Sequence, residues 1–287
     1  MKCNICPRKC NVDRTCSTGF CNEQSMRISQ YMLHHWEEPL ISGDENSTGS
    51  GTVFFSGCNL KCVYCQNYEI SSNGKGVLTS PEKLIEIMKD LETKGALNIN
   101  FVTPTHFTDE ILTALKIYKP SIPIVWNTSG YESIETLEKI SGFVDIFLTD
   151  LKYCSSELSL KYSSCSDYFD VTTASILKMR EIVGDDKIEN GIMKKGIIIR
   201  HMVLPSYSAD SIKILDWIKD NLGTKTIISI MNQYTPCHKA NKYPEINRTV
   251  KPIEYQRVVS HARSLGFTSA FIQDKESAST NFIPKFK

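Results

Sequence analysis

The chain has 287 residues, 33 Lys and Arg against 32 Asp and Glu, 41% hydrophobic residues and 11 cysteines. That length allows one large domain or a main domain with a small appendage. The near-neutral balance leaves no basic field to hold nucleic acid, and no acidic run is present. The opening MKCNICPRKC lacks the apolar region of a signal peptide, and no apolar run approaches the roughly 18–20 residues that span a bilayer. The expectation is a soluble cytoplasmic protein with no nucleic-acid and no membrane partner.

Eight of the 11 cysteines fall within the first 65 residues. Cytosolic thiols are kept reduced, so local clustering points to metal rather than to disulfides. Cys3, Cys6, Cys10, Cys16 and Cys21 come first, spaced C-x2-C-x3-C-x5-C-x4-C. Four soft ligands would close a tetrahedral zinc site or an auxiliary iron–sulfur cluster; a flexible terminus with free thiols is the alternative. Residues 1–50 therefore read as a Cys-rich N-terminal segment, and 51–287 as the main domain. His34 and His35, before WEEP, read as packing or capping residues in a connection.

From residue 52 the pattern alternates. TVFFS (52–56) is a short β-prone run that leads directly to Cys58. SPEKLIEIMKDLETKG places Ser80 as an N-cap, Pro81 at the first helical position and Gly95 past the end. Leu84, Ile87, Met88 and Leu91 share one helical face. Strands follow at 98–104, 122–127, 144–150, 196–205, 226–233 and 269–273. Helices are expected near 107–118, 131–140, 171–183, 208–222 and 252–265. Strands apolar on both faces, alternating with helices, imply a helix-covered parallel sheet. It is either open and doubly wound or a full or partial (β/α) barrel. No GxGxxG or GxxxxGK[ST] follows any strand, which argues against dinucleotide and P-loop folds.

Ligands in such folds bind at the carboxyl ends of the strands. There the chain places Cys58, Cys62 and Cys65, then TPTH (103–106), NTSG (127–130), TDLK (149–152), Arg200 with His201, and MNQYTP (231–236). The spacing Cys58-x3-Cys62-x2-Cys65 gathers three thiolates and stops. A closed [4Fe–4S] cluster uses four cysteines. Three leave one iron open, where the amine and carboxylate of S-adenosylmethionine can bind. A structural zinc knuckle is the alternative.

The stretch CNLKCVYCQN resembles the radical S-adenosylmethionine signature, with Tyr64 at the aromatic position before the last cysteine. More narrowly, CPRKCNVDR, WEEPLISG, GTVFFSGCNLKCVYCQNYEIS, NINFVTPTH, NTSGYE, GIMKKGIIIRHMVLP, ISIMNQYTP, YPEINR and FIQDKESA resemble the pyruvate formate-lyase-activating-enzyme-like family. That resemblance implies an α/β fold, a partial (β/α)6 TIM-type barrel open at one side. It implies a [4Fe–4S] cluster on Cys58, Cys62 and Cys65, bound S-adenosylmethionine, and an electron donor such as flavodoxin or ferredoxin. It also implies a protein or peptide substrate, a glycyl radical enzyme.

By the same resemblance, Tyr64 contacts adenine through its backbone. Thr103, Thr105 and His106 stand where related enzymes hold the methionyl amine with Gly-Gly-Glu. Asn127 and Ser129 face the ribose or carboxylate, Asp150 and Lys152 match an Asp-x-Lys element of activases, and Arg200 pairs with the methionyl carboxylate. Cys3, Cys6, Cys10 and Cys21 fit the pattern CxxCPRxC…GFC, leaving Cys16 as the extra. Gln66-Asn67 departs from the His-Asn of true activases.

Without the resemblance, Asp150 and Lys152 also fit a strand-end ion pair, and His106 a hydrogen-bonded loop histidine. Arg200 lies within an apolar strand, where an unpaired charge is costly, so a site role is favoured over a structural salt bridge. Cys154, Cys165 and Cys237 read as small buried hydrophobes. The expected function is hydrogen abstraction from a glycyl residue of a partner protein. Radical modification of another peptide or a small molecule is the second reading, and a non-enzymatic zinc-binding interaction protein the third.

Overall fold

The computed structural model describes residues 2–273; positions 274–278 of the stretch FIQDKESA lie outside the described residues. In chain order the elements are β1 (Arg27–His34), α1 (Pro39–Ser42), β2 (Ser50–Phe55), α2 (Tyr68–Ser71), β3 (Val77–Leu78) and α3 (Pro81–Thr93). Next come β4 (Ile99–Val102), α4 (Thr108–Ile117), β5 (Ile124–Thr128), α5 (Ile134–Ile140), β6 (Ile146–Asp150), α6 (Ser156–Ser163) and α7 (Tyr168–Val183). The last are β7 (Lys187–Glu189), β8 (Ile192–Met202), α8 (Ser208–Leu222), β9 (Ile227–Met231), α9 (Pro252–Ser264) and β10 (Ala270–Ile272).

Each strand and helix expected from the pattern is present with shifted ends. In α3 the Ser80 side chain accepts from the Lys83 amide, Pro81 opens the helix, and the stripe of Leu84, Met88 and Leu91 is fully buried. Gly95 follows the helix at φ +80°, a left-handed conformation natural to glycine.

The sheet order is β10-β9-β8-β6-β5-β4-β2-β1-β3. Every neighbouring pair from β2 to β10 is parallel, whereas β1 runs antiparallel to β2 and β3. The two ends of this order do not pair among the described residues, so the sheet is a partial barrel and is not closed. β1 and α1 precede residue 51 yet belong to the sheet and its interior. The eight residues of β1 show no strict alternation of apolar and polar positions and α1 has only four residues, so pattern reading detects neither.

The period of two along each strand divides the barrel into layers. On β6, Ile146 and Leu148 face the interior while Phe147 faces the helices; on β8, Ile198 faces inward between Ile197 and Ile199. Ile41 of α1 plugs the lower interior against Val125, Ile146, Leu148, Ile198 and Ile227. Asn98 Nδ2 donates to the Ile41 carbonyl at 2.7 Å and fixes the plug. Two residues further along, the same inward parity delivers Asn127, Asp150 and Arg200 to the upper mouth. The apolar floor and the polar rim are one alternation read at two heights.

Candidate active site

Strand β2 ends at Phe55, and the chain enters the cysteine loop through Ser56 and Gly57. Gly57 has φ +78°, and a Cβ there would lie 2.7 Å from the Cys21 carbonyl oxygen, so only glycine fits this turn. The Cys58 sulfur accepts from the Leu60 amide at 3.4 Å. The loop is anchored from outside by Val63 N to Tyr162 O at 2.8 Å, Lys61 N to Ser163 O at 3.2 Å and Lys239 N to Val63 O at 2.8 Å. Cys62 Sγ lies 3.0 Å from Ser163 Oγ and Cys65 Sγ 3.2 Å from Ser71 Oγ. Tyr153 joins Ser163 to the buried Tyr64 hydroxyl.

Burial pushes the Cys58 thiol up to about 12 and the Cys65 thiol to about 11, with Cys62 adding repulsion. Three thiolates so close in a desolvated loop call for a compensating cation. Cysteine thiolates bind separate irons of a [4Fe–4S] cube, and three such donors on one loop fit that group.

Cys62, Tyr64 and Cys65 open on a cavity of about 240 Å³, also lined by Glu37, Asn127, Asp150, Lys152 and Arg200. Arg200 Nε donates to Asp150 Oδ1 at 2.9 Å, its Nη2 to Asn127 Oδ1 at 2.7 Å and its Nη1 to Glu37 Oε2 at 3.3 Å. Lys152 Nζ donates to Asp150 Oδ2 at 2.6 Å, and Asn127 Nδ2 to Glu37 Oε1 at 3.1 Å. Burial opposes charge on both members of the Asp150–Lys152 pair. Nevertheless Arg200 and Lys152 hold the Asp150 carboxyl below its usual range, and Asp150 with Cys62 holds Lys152 above its own.

Other residues singled out in the sequence lie off this cavity. Thr105 donates to buried Glu132 at 2.6 Å, a carboxylate also bonded by Thr128 and Trp126. His106 Nε2 meets the Ser56 carbonyl at 2.6 Å, and burial lowers its pKa to about 3. Thr103 has φ +59° and donates its amide to Asn127 O, while the Ser129 carbonyl accepts from Tyr168. His201 bonds Leu151 O and Ser211. Cys237 donates to the Tyr64 carbonyl at 3.2 Å rather than supplying a further sulfur.

Pattern reading missed Glu37, which comes from the β1–α1 connection, and Met202 on the cavity wall, whereas Met231 and Gln233 line it from the expected segment MNQYTP. The acidic pair in WEEP was the available signal, unread because the segment carries no strand or helix period. His34 lines the cavity and packs edge-on against Phe54 at 6.1 Å.

In the N-terminal segment, Cys6 and Cys21 are buried and Cys16 is exposed. The Phe20 amide donates to Cys10 Sγ at 3.2 Å. Burial pushes the Cys6 thiol up to about 12, with Cys10 and Cys21 adding repulsion, and Cys3 and Cys10 act likewise on Cys21. Cys16 instead donates to Asp13 O.

No helix of the described residues is long and apolar enough to cross a membrane. An uncharacterized protein of Methanocaldococcus jannaschii, MJ0674, is 32% identical over 270 residues, 91% of this chain and 74% of its own length. A second from that organism, MJ0808, is 22% identical over 286 residues, 92% of this chain and 77% of its own. Among solved structures, Streptococcus suis SuiB bound to precursor peptide SuiA aligns with a TM-score of 0.51 and 13% identity. That alignment covers 76% of this chain and 46% of SuiB, and the likeness is one of fold. Residues 52–238, which contain the cysteine loop and five of the strands that carry the rim, match the Radical SAM superfamily. The chain therefore belongs to that superfamily, whose radical-generating enzymes use a [4Fe–4S] cluster and S-adenosylmethionine.

Proposed function

We propose that Cys58, Cys62 and Cys65 hold the [4Fe–4S] cluster, that S-adenosylmethionine occupies the adjoining cavity, and that the chain abstracts hydrogen from a glycyl residue of a partner protein. The observation that carries this reading is the meeting of the three-cysteine loop with the Asn127–Asp150–Arg200 rim around one cavity. Cys62 and Cys65 line that cavity, and Cys58 precedes them in the same loop. When bound, the cluster supplies the electron that cleaves the sulfonium and frees a 5′-deoxyadenosyl radical.

The chain's own residues bind, orient and shield. Arg200, fixed by Asp150, presents its guanidinium to the methionyl carboxylate, and Asn127 stands beside it. Glu37 offers a carboxylate for the methionyl ammonium, where the family resemblance implies Thr103, Thr105 and His106. The Tyr64 backbone is retained for adenine. Val102, Met202 and Met231 give the cavity apolar walls that keep water from the reacting atoms. Lys152, beside Cys62, places a cation near the cluster's thiolates. A flavodoxin or ferredoxin serves as electron donor, and Cys3, Cys6, Cys10 and Cys21 hold a second centre, an auxiliary iron–sulfur cluster or zinc.

The activase assignment is supported by the open barrel edge and the Asp150-x-Lys152 element. Gln66-Asn67, in place of His-Asn, favours the second reading, radical modification of another peptide or a small molecule. The superfamily membership leaves the zinc-binding interaction reading without support.

The test is anaerobic purification followed by reduction with S-adenosylmethionine. Brown protein absorbing broadly near about 400 nm and releasing 5′-deoxyadenosine is expected, and both properties should vanish in Cys62→Ala. Colourless native protein carrying zinc alone would sink the proposal. A glycyl radical signal in a co-expressed partner decides for the activase; its absence alongside a modified peptide or small molecule decides for the second reading.

A further inference from the structure

Residues 2–26 contain no helix or strand, only an isolated bridge between Lys2 and Asp13. So short a segment buries too little apolar surface to order itself, yet its side chains are fixed against the barrel. Ser133 Oγ donates to the Ile5 carbonyl at 2.9 Å, and Thr136 donates to the same oxygen. Arg8, between Cys6 and Cys10, donates from Nε to the Asn59 carbonyl at 2.8 Å, inside the loop from Cys58 to Cys62. Its guanidinium lies 3.9 Å from the Phe20 ring centroid and 5.2 Å from that of Tyr131. Arg14 donates to the carbonyl of His106, whose ring holds the Ser56 carbonyl. The Cys21 carbonyl and Glu23 crowd Gly57. Of the residues flanking Cys58, Asn59 is thus held directly from the N-terminal side, Ser56 indirectly through His106, and Gly57 is packed against Cys21 and Glu23.

The two arginines are also incompletely paired. Arg8 Nη2 and Arg14 Nε and Nη2 are buried without a hydrogen-bond partner. Both residues are half-buried, and N–H groups left without an acceptor in such places are costly unless an anion lies nearby. The Phe20 amide donates to Cys10 Sγ at 3.2 Å, the kind of donor a thiolate accepts. Four thiolates around a divalent zinc, or around a [4Fe–4S] core of charge +2, carry a net charge of about −2. Two arginines balance either.

We infer that Cys3, Cys6, Cys10 and Cys21 bind a thiophilic metal centre as a dianionic tetrathiolate, with Arg8 and Arg14 as its counter-ions. Through these arginines and the Cys21 carbonyl, the centre braces the loop that carries the reactive cluster. The brace rests on reading the four N-terminal cysteines as a metal site. Crosslinking by the metal supplies the order that the segment's own packing cannot. Arg8 and Arg14 are positioning residues: they act on the loop backbone, not on substrate.

Metal analysis of the full chain tests the centre. Cys58, Cys62 and Cys65 changed together to Ala should leave zinc or iron bound; no retained metal overturns the centre while leaving the reactive-cluster proposal intact. Iron with sulfide identifies a second cluster, and one zinc per chain the alternative source. The brace is read separately, as the rate at which an iron chelator bleaches the reactive cluster. Arg8→Ala and the pair Cys3→Ser with Cys10→Ser should each bleach about tenfold faster, the change expected from about 1.4 kcal/mol, whereas Cys16→Ser should match the native chain. Arg8→Lys keeps the charge without the guanidinium fork and should recover part of the protection, which excludes simple misfolding. Native bleaching rates in Arg8→Ala and in the paired serine variant would overturn the brace.

Discussion

Arg200 and Asp150 are direct register partners on β8 and β6, and Arg200 Nε donates to Asp150 Oδ1 at 2.9 Å. The inward parity of both strands sends the two side chains over the apolar plug. Lys152 binds the second Asp150 oxygen and Glu37 the far side of the guanidinium, so a single carboxylate orders two cations at the mouth.

Asp150→Asn should therefore leave Arg200 and Lys152 short of charge in a buried site. Removing one member of a buried pair costs about 3–5 kcal/mol. Denaturant unfolding should record a loss of that order, and 5′-deoxyadenosine formation should fall with it. Native stability in Asp150→Asn would refute this account of the network.

Asn127→Ala removes a bridge that donates to Glu37 and accepts from Arg200. Leaving buried polar groups unpaired costs about 1–3 kcal/mol. S-adenosylmethionine affinity, titrated on cluster-loaded protein, should weaken about tenfold or more. Unchanged affinity would remove Asn127 from the binding rim.

At Gly57 an added methyl would meet both Glu23 Cγ and Cys21 O within 2.7 Å, at φ +78°. Strained backbone of this kind costs about 1–3 kcal/mol. Gly57→Ala should lower the iron retained after reconstitution, measured per chain, while α3 and the remaining helices keep their circular dichroism.

Ile41→Ala empties the plug beneath the cavity. Large-to-small changes at fully buried aliphatic positions cost about 2–5 kcal/mol, and thermal unfolding should shift down accordingly. A change near zero would mean that the α1 plug does not support the barrel interior.

His201 gives a pH signature away from the cysteines. Burial holds its pKa at about 4, against the pull of the Leu151 carbonyl, so the folded state binds fewer protons than the unfolded state between about 6.5 and 4. Stability is fully present above the unfolded value and falls as pH drops through that window, by about 1.4 kcal/mol per pH unit. Denaturant midpoints taken from pH 7 to pH 4.5 should lose part of that slope in His201→Gln.

The alternating strands and helices from residue 52 onward were legible because long apolar periods and caps such as Ser80 are local. The cysteine triplet was legible for the same reason: three ligands on one loop are a one-dimensional signal. β1 escaped because its eight residues do not alternate between apolar and polar, α1 because it has only four, and with them Glu37 escaped as well. Glu37 lies 163 positions from Arg200, and nothing in either local segment announces that they meet.

The sequence by itself determined the element order, the three-thiolate loop and the residues eligible for the rim, since each depends on near neighbours and on side-chain chemistry. Only the tertiary structure decided which of those residues share a cavity. It turned Thr105 and His106 toward Glu132 and Ser56, brought Glu37 against the Arg200 guanidinium, and set Arg8 against Asn59. Those choices follow from strand parity and from where a sheet that does not close admits a connecting segment, and both are properties of the assembled chain.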